Sequence, residues 1–253
     1  MKRIGLLFFL LTLFISSSAQ TLVSETINIS QGQKVIFDFP YAKLVDVRGW
    51  DQDFISIEVQ VSINMGNNDD AYSISSESIP SGMSIKGSIK DHDKLPKMIQ
   101  IKKGDQIYYF DTDDWNSPKI IKFYEENGRD GISWNSHGVI REIKVLIKVP
   151  GNIGALDIES RFGMIDIEGL NVPIKANSRH GGIDLSISAG ANNKFTMDSK
   201  WGTIYTNLNL DFRTMSGFEK SKDWSHVECS INGGGGHLMD LESRHANIYL
   251  RKQ

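Results

Sequence analysis

Four dipeptides recur in the C-terminal half of the chain, each with a basic residue followed by an aromatic residue or a histidine. They are Arg161–Phe162, Arg179–His180, Lys200–Trp201 and Arg244–His245. Arginine binds anionic groups through paired hydrogen bonds, and aromatic rings attract cations and can stack on sugar rings. If the dipeptides lie side by side, their basic residues form one row, here called the basic file. Their aromatic and imidazole side chains form a second row beside it, here called the ring file. Such an edge predicts a contact surface for a glycan, an envelope component or another protein.

The same residues have a second interpretation, in which they form a solvated ladder of charges. Glu159, Asp198 and Glu242 lie close to the cations in the sequence and would neutralise them locally. Exposed ion pairs of this kind contribute little to stability. Both interpretations stay open at this stage, because they depend on how the strands around the dipeptides are arranged.

Each dipeptide belongs to a four-residue element that begins with serine and is flanked by alternating apolar and polar residues. The elements are SRFG at Ser160, SRHG at Ser178, SKWG at Ser199 and SRHA at Ser243, separated by 18, 21 and 44 residues. The alternation predicts short strands with one side facing inward. A coil of about twenty residues cannot bury a core alone, so such units stack in series. The repeat therefore predicts a β-solenoid in which the four elements are corners that lie above one another.

The corner residues lead to predictions about the local backbone. The serine hydroxyls are expected to bond the corner backbone, and glycine is expected to supply a positive φ angle. The glycines concerned are Gly163, Gly181 and Gly202. In the fourth copy Asn247 follows an alanine, and asparagine tolerates the left-handed region better than most residues.

Stacking in chain order predicts the relative positions of the copies. The long separation between Ser199 and Ser243 leaves room for a midpoint coil, with a strand at residues 226–231 as its rung. The same order places His180 and His245 two or more coils apart. That distance is too long for the two imidazoles to share a metal ion.

Composition and the first residues restrict the class of protein. The chain has 253 residues, a formal net charge of −3 and no basic runs, which gives no electrostatic case for nucleic-acid binding. Residues 1–19 combine a positive start, an apolar stretch and a small-residue exit, which predicts a signal peptide and export to the periplasm or cell surface. No transmembrane segment is expected after cleavage. The single Cys229 occupies an inward position of an alternating strand and is expected to be buried.

The mature chain, residues 20–253, is predicted to be all-β. No segment of twelve or more residues combines helical periodicity with caps. The most regular repeats lie in residues 141–252, whereas residues 90–138 form an irregular polar excursion. We expect one elongated solenoid with a more irregular N-terminal β portion. An N-terminal β-sandwich followed by a solenoid is the alternative.

Three segments of the sequence point to a known family. They are VRGWDQDFISIEV at residues 47–59, LDIESRFGMIDIEG at residues 156–169 and INGGGGHLMDLESRHANIYLRK at residues 231–252. Together they resemble the bacterial adhesin-like β-solenoid family, a domain class of unknown function common in exported proteins of Bacteroidetes-type bacteria. The resemblance covers most of the mature chain and implies a right-handed, single-stranded β-helix. It implies no catalytic residues, because the family has no established active site.

The sequence contains no recognisable catalytic or metal-binding motif. The acidic segment 111–116 lacks the glycine and glutamate of an EF-hand loop, and no nucleophile-elbow or zinc-protease motif occurs. We therefore expect no metal, no cofactor and no enzymatic activity. The predicted function is an exported adhesin or envelope scaffold that binds a glycan or surface partner through the basic and ring files. The alternatives are a periplasmic signalling-associated binding protein and a polysaccharide lyase or glycosidase on a β-helix scaffold.

Overall fold

The computed structural model describes residues 20–212, 218–221 and 223–253. Within these ranges the protein consists of strands and connecting turns, with one α-helix, α1 (Pro118–Asn127), and two short 3-10 turns. The prediction of an all-β protein is confirmed. The predicted signal peptide, residues 1–19, lies outside the described residues.

The strands of the described ranges form three sheets. Sheet A has the spatial order β1 (Thr21–Asn28), β4 (Phe54–Ile63), β10 (Arg141–Pro150), β3 (Leu44–Trp50), β12 (Met164–Glu168), β14 (Ile183–Ile187), β20 (Ile248–Lys252) and β16 (Ile204–Thr206). Sheet B has the order β17 (Phe218–Lys220), β18 (Trp224–Ser230), β15 (Lys194–Lys200), β19 (Leu238–Ser243), β13 (Ile174–Ser178), β11 (Ala155–Ser160), β2 (Lys34–Asp38), β6 (Gly82–Ile89) and β5 (Tyr72–Ile79). Sheet C is smaller, with the order β8 (Gln106–Phe110), β7 (Met98–Lys103) and β9 (Ile132–Gly138).

Sheets A and B are built from layers, each containing one strand of sheet B and one of sheet A. In spatial order the layers are β6 with β10, β2 with β3, β11 with β12, β13 with β14, β19 with β20, and β15 with β16. Neighbouring strands of these layers are parallel in both sheets. Because parallel pairing keeps equivalent residues in register, side chains of the same type form rows across the layers.

The C-terminal layer lies inside the stack rather than at its end. Strand β19 pairs with both β13 and β15, and β20 pairs with both β14 and β16. The predicted midpoint coil between Ser199 and Ser243 is therefore wrong, because these residues are direct cross-strand neighbours. The strand predicted at residues 226–231 does form, as β18, but it pairs antiparallel with the outer side of β15. The interposed position covers the C-terminal layer on both sides and leaves its Leu241 and Leu250 fully buried.

The main core lies between sheets A and B and runs through all their layers. One cluster of buried apolar side chains extends from Ile27 to Leu250, so the N-terminal strands share a core with the repeats. Each fully buried aliphatic or aromatic side chain stabilises the fold by roughly 1.5–3 kcal/mol. Cys229 is fully buried in this core as predicted, and burial raises the pKa of its thiol to about 12.

The predicted polar excursion contains regular structure of its own. Sheet C and α1 enclose a small cluster formed by Ile99, Ile101, Ile120 and Phe123. Helix α1 has only ten residues and starts with proline in its first turn, so it falls below the length that sequence periodicity can detect. Across the described residues, none of the helices is long and apolar enough to span a bilayer.

Candidate functional site

The four serine corners lie in one row across the layers. Ser160 is opposite Ser178, Ser178 is opposite Ser243, and Ser243 is opposite Ser199. All four serines are buried, and their hydroxyls bond the backbone of their own or the adjacent corner. The amide of Gly163 donates to Ser160 Oγ at 3.0 Å, and Ser178 Oγ donates to the Gly163 carbonyl of the adjacent layer at 3.1 Å. These bonds fix both the shape of each corner and its distance from the next.

The corner glycines are required by close packing and not by a positive φ angle. The predicted positive φ at Gly163, Gly181 and Gly202 is wrong, and Asn247 also lies outside the left-handed region. A Cβ atom on Gly181 would lie 2.0 Å from the carbonyl carbon of Gly163. One on Gly202 would lie 2.1 Å from the carbonyl oxygen of Ala246. Adjacent corners therefore approach so closely that a side chain at this position has no space.

The ring file is a continuous stack in the spatial order Phe162, His180, His245 and Trp201. Successive ring centroids are 5.7, 4.7 and 4.7 Å apart, with interplanar angles of at most 19°. The shorter spacings match the distance of about 4.8 Å between neighbouring strands. The predicted separation of His180 and His245 is wrong, because the interposed C-terminal layer brings the two imidazoles into direct contact.

Three residues that sequence analysis did not identify extend this stack beyond the repeats. The guanidinium of Arg141 lies over the rings of both Phe162 and Tyr41, at 5.5 and 5.2 Å from their centroids. Tyr41 in turn stacks on His92, with 4.9 Å between centroids, and Arg141 Nη1 lies 2.7 Å from His92 Nε2. Every layer of the two large sheets therefore contributes one ring, and Arg141 joins the two halves of the stack.

Tyr41 occupies the corner position that Phe162 occupies in the first repeat. Asp38 is the cross-strand partner of Glu159, and each ring follows its carboxylate by three residues. The alternation in residues 34–48 is the sequence signal for this layer. Its corner reads FPYAK instead of SRFG, so a search for the serine element misses it.

The stacking changes what the ring file can do chemically. Both faces of His180 and His245 are covered by neighbouring rings, and Lys200 Nζ lies over Trp201 at 4.3 Å from its centroid. The file therefore presents ring edges to solvent, although Phe162 is 43% and Trp201 52% exposed. Sugar rings need an open aromatic face for stacking, and the described ring file does not offer one.

The basic file runs beside the rings in the spatial order Arg161, Arg179, Arg244 and Lys200, and all four side chains are exposed. It borders two open grooves that meet at Arg244. The larger, of about 490 Å³, is lined by Asp38, Pro40, Glu159, Ser160, Arg161, Asn177, Arg179 and Arg244. The smaller, of about 390 Å³, is lined by Asp198, Lys200, Trp224, Glu242, Ser243 and Arg244.

The charges along the edge are only partly neutralised. Arg244 Nε lies 3.7 Å from Glu242 Oε1, whereas Arg161 and Arg179 form no ion pair with any residue that the structure describes. Asp198 is bound to a different partner, since its Oδ1 lies 2.9 Å from His226 Nδ1. The interpretation of these residues as a ladder of locally neutralised charges therefore fits Arg244 but not Arg161 or Arg179.

The imidazole of His180 lies close to other cationic side chains. Partial desolvation lowers the pKa of His180, and the nearby His245, Arg179 and Arg161 lower it further. Over residues 20–212, 218–221 and 223–253, no cluster of three or more histidine, cysteine or acidic side chains is arranged to hold a metal ion. The edge thus combines exposed cations with carboxylates that line the same two grooves.

Comparisons with known proteins yield one distant structural neighbour. No family model matches the chain, and no curated protein matches it. A crystal structure of "a putative cell adhesion protein" from Clostridium sporogenes aligns with 93% of this chain and 100% of its own. The TM-score is 0.49 and the sequence identity 10%.

Proposed function

We propose that this protein is an exported, non-enzymatic binding protein whose contact surface is the edge formed by the basic file and the ring file. We also propose that the layers of sheets A and B form a right-handed, single-stranded β-solenoid of the adhesin-like kind, with residues 1–19 as signal peptide. One observation carries the binding proposal. Arg161, Arg179, Arg244 and Lys200 lie exposed on four consecutive layers, in a row beside a stacked column of rings.

The rigidity of the edge supports a role in binding. The amide of Arg179 donates to the carbonyl of Ser160, and that of Arg244 donates to the carbonyl of Ser178, each at 3.1 Å. These bonds hold the arginine backbones at the spacing of the strands. Groups that are ordered before a ligand arrives lose less conformational entropy on binding. The fixed backbone therefore removes part of this entropy cost, because only the side chains of the cations remain to be ordered when a ligand binds.

A glycosidase is the enzymatic alternative, and the larger groove contains the carboxylates that it would need. Asp38 and Glu159 are cross-strand neighbours there. Asp38 Oδ2 also lies 2.9 Å from Lys86 Nζ and is held in an ion pair of the sheet surface. The unpaired arginines of the same groove have no part in the two-carboxylate mechanism. We therefore favour binding over hydrolysis.

Charge reversal tests the proposed surface. The double variant Arg161→Glu/Arg179→Glu is compared with Lys144→Glu/Lys252→Glu, which reverses two exposed lysines of sheet A. Retention is measured on immobilised bacterial envelope fragments and on a glycan array, after far-UV circular dichroism has confirmed that both variants are folded. We expect the first variant to lose retention and the second to keep it. Equal retention of the two variants would contradict the proposal.

A further inference from the structure

We infer that the ligand of this edge is a linear polysaccharide that carries carboxylate groups and lies across consecutive layers in the two grooves. The inference rests on the proposed binding function and specifies the chemistry of its ligand. It follows from three features of the grooves: guanidinium groups without ion-pair partners, carboxylates beside them, and a regular repeat along the stack.

The unpaired arginines indicate the anionic component. Arg161 and Arg179 border the larger groove without an ion-pair partner in the described part of the chain, and Arg244 has only the long contact to Glu242. A guanidinium group binds a planar carboxylate through two parallel hydrogen bonds, which are stronger than bonds between neutral groups. Carboxylates of a ligand would supply the counter-charges that the protein itself lacks at these positions.

The carboxylates of the grooves indicate the remaining chemistry. Asp38 and Glu159 lie in the larger groove and Glu242 lies in the smaller one, where each offers hydrogen-bond acceptors. A sugar chain with carboxylate groups also carries hydroxyl donors. Its carboxylates can accept hydrogen bonds from the arginines, and its hydroxyls can donate to the carboxylates of the lining. A polyanion that lacks hydroxyl donors, such as polyglutamate, would place anions against these acceptors without any group that can donate to them. Like charges at such distances repel.

The repeat along the stack indicates an extended ligand. The arginines follow one another at the strand spacing of about 4.8 Å, on layers held in register by parallel pairing. The grooves of about 490 and 390 Å³ meet at Arg244, so one chain can pass from the first into the second. A single small anion would engage at most two neighbouring cations and leave the rest of the row without a counter-charge.

Affinity electrophoresis and calorimetry with matched polymers test the inference. The probes are polygalacturonate, the same polymer after chemical reduction of its carboxyl groups, and polyglutamate. The protein variants are Arg161→Gln/Arg179→Gln and, as control, Arg129→Gln, an exposed arginine that borders neither groove. We expect wild-type protein and the control to bind polygalacturonate, and affinity to fall as sodium chloride is added. The double variant should bind about tenfold more weakly or worse, since charged hydrogen bonds are lost.

The outcomes separate this inference from the function on which it rests. If the reduced polymer binds as well as polygalacturonate, or if polyglutamate binds better, the carboxylate-polysaccharide ligand is overturned while binding at the edge stands. If polygalacturonate binds equally to the double variant and the control, the site lies elsewhere. Unaltered retention of the charge-reversed variant on envelope fragments would refute the binding function itself. A rise in reducing ends during incubation would reassign the groove to hydrolysis.

Discussion

Replacing Gly181 by alanine should separate two layers of the stack and destabilise the whole protein. The new Cβ atom would lie 2.0 Å from the carbonyl carbon of Gly163, 2.1 Å from its oxygen and 2.4 Å from the amide nitrogen of Met164. All three atoms belong to the backbone, so no side chain can rotate away. Ordinary contact begins near 3.4 Å, so the layers must part by about 1.4 Å at this corner.

A displacement of this size breaks hydrogen bonds that join the two layers. The bonds from Ser178 Oγ to the Gly163 carbonyl and from the Ile165 amide to the Gly182 carbonyl are each 3.1 Å long. Each contributes about 0.5–1.5 kcal/mol, and overpacking adds about 1–3 kcal/mol. We therefore expect the free energy of unfolding to fall by about 3 kcal/mol. For a protein of this size the Tm should fall by about 6–12 °C.

Gly151→Ala is the matched control, because its Cβ atom would meet no atom within 4 Å and its φ angle is not left-handed. Its effect should stay within about 0.5 kcal/mol. Thermal unfolding followed by circular dichroism and guanidinium titration measure both variants. If Gly181→Ala and Gly151→Ala unfold at the same temperature, the close approach of the corners does not limit this position and our reasoning is refuted.

Three further predictions concern buried and charged groups. Cys229 should react with a thiol reagent only as fast as the protein unfolds, because it is fully buried, and rapid labelling under native conditions would argue against its place in the core. Burial raises the pKa of Asp166, Arg48 opposes this rise, and Asp46 adds to it. Arg48→Met should therefore lower the free energy of unfolding by about 1–2 kcal/mol at neutral pH. Urea titrations should show this deficit vanishing as the pH falls through the raised pKa of Asp166 and its carboxylate is protonated. Burial alone would lower the pKa of His226, but Asp198 and Glu228 raise this pKa above its ordinary value. The stability that the protonated His226 contributes is therefore complete below about pH 6.5 and is lost as the pH rises through the raised pKa. His226→Gln should therefore reduce the Tm at about pH 5.5 and not at about pH 9, and an equal reduction at both would count against the ion pair.

The sequence predicts the row of corners because its periodicity is strict. Alternation around Ser160 and Ser178 requires one buried and one exposed side for each strand, and parallel pairing then places equivalent corners together. The eight residues of the two files follow from that register. The exposure of Phe162 and Trp201 agrees with the expected edge, whereas the stacking that covers the ring faces depends on the strand spacing and not on residue type.

The features that the sequence does not predict depend on contacts between distant segments. Nothing near Ser243 indicates that its strand pairs between β13 and β15, because periodicity records which face is buried and not which strands are neighbours. Arg141 enters the ring stack from a strand that the corner motif does not include. Tyr41 is missed for a related reason, since its layer keeps the alternation but replaces the serine element. Helix α1 is too short for its pattern to stand out.

The interposed C-terminal layer has a consequence for biosynthesis. A chain that ends before Leu238 has all strands of the flanking repeats but an empty slot between them, with unpaired strand edges on both sides. Such edges can capture strands from other molecules. The slot is filled only after residues 238–252 have been synthesised, later than both flanking layers, and the contacts that fill it join segments far apart in the chain, which slows folding. Such late closure suits a protein that is proposed to cross a membrane unfolded, and truncation before Leu238 should yield aggregates rather than a shorter functional stack.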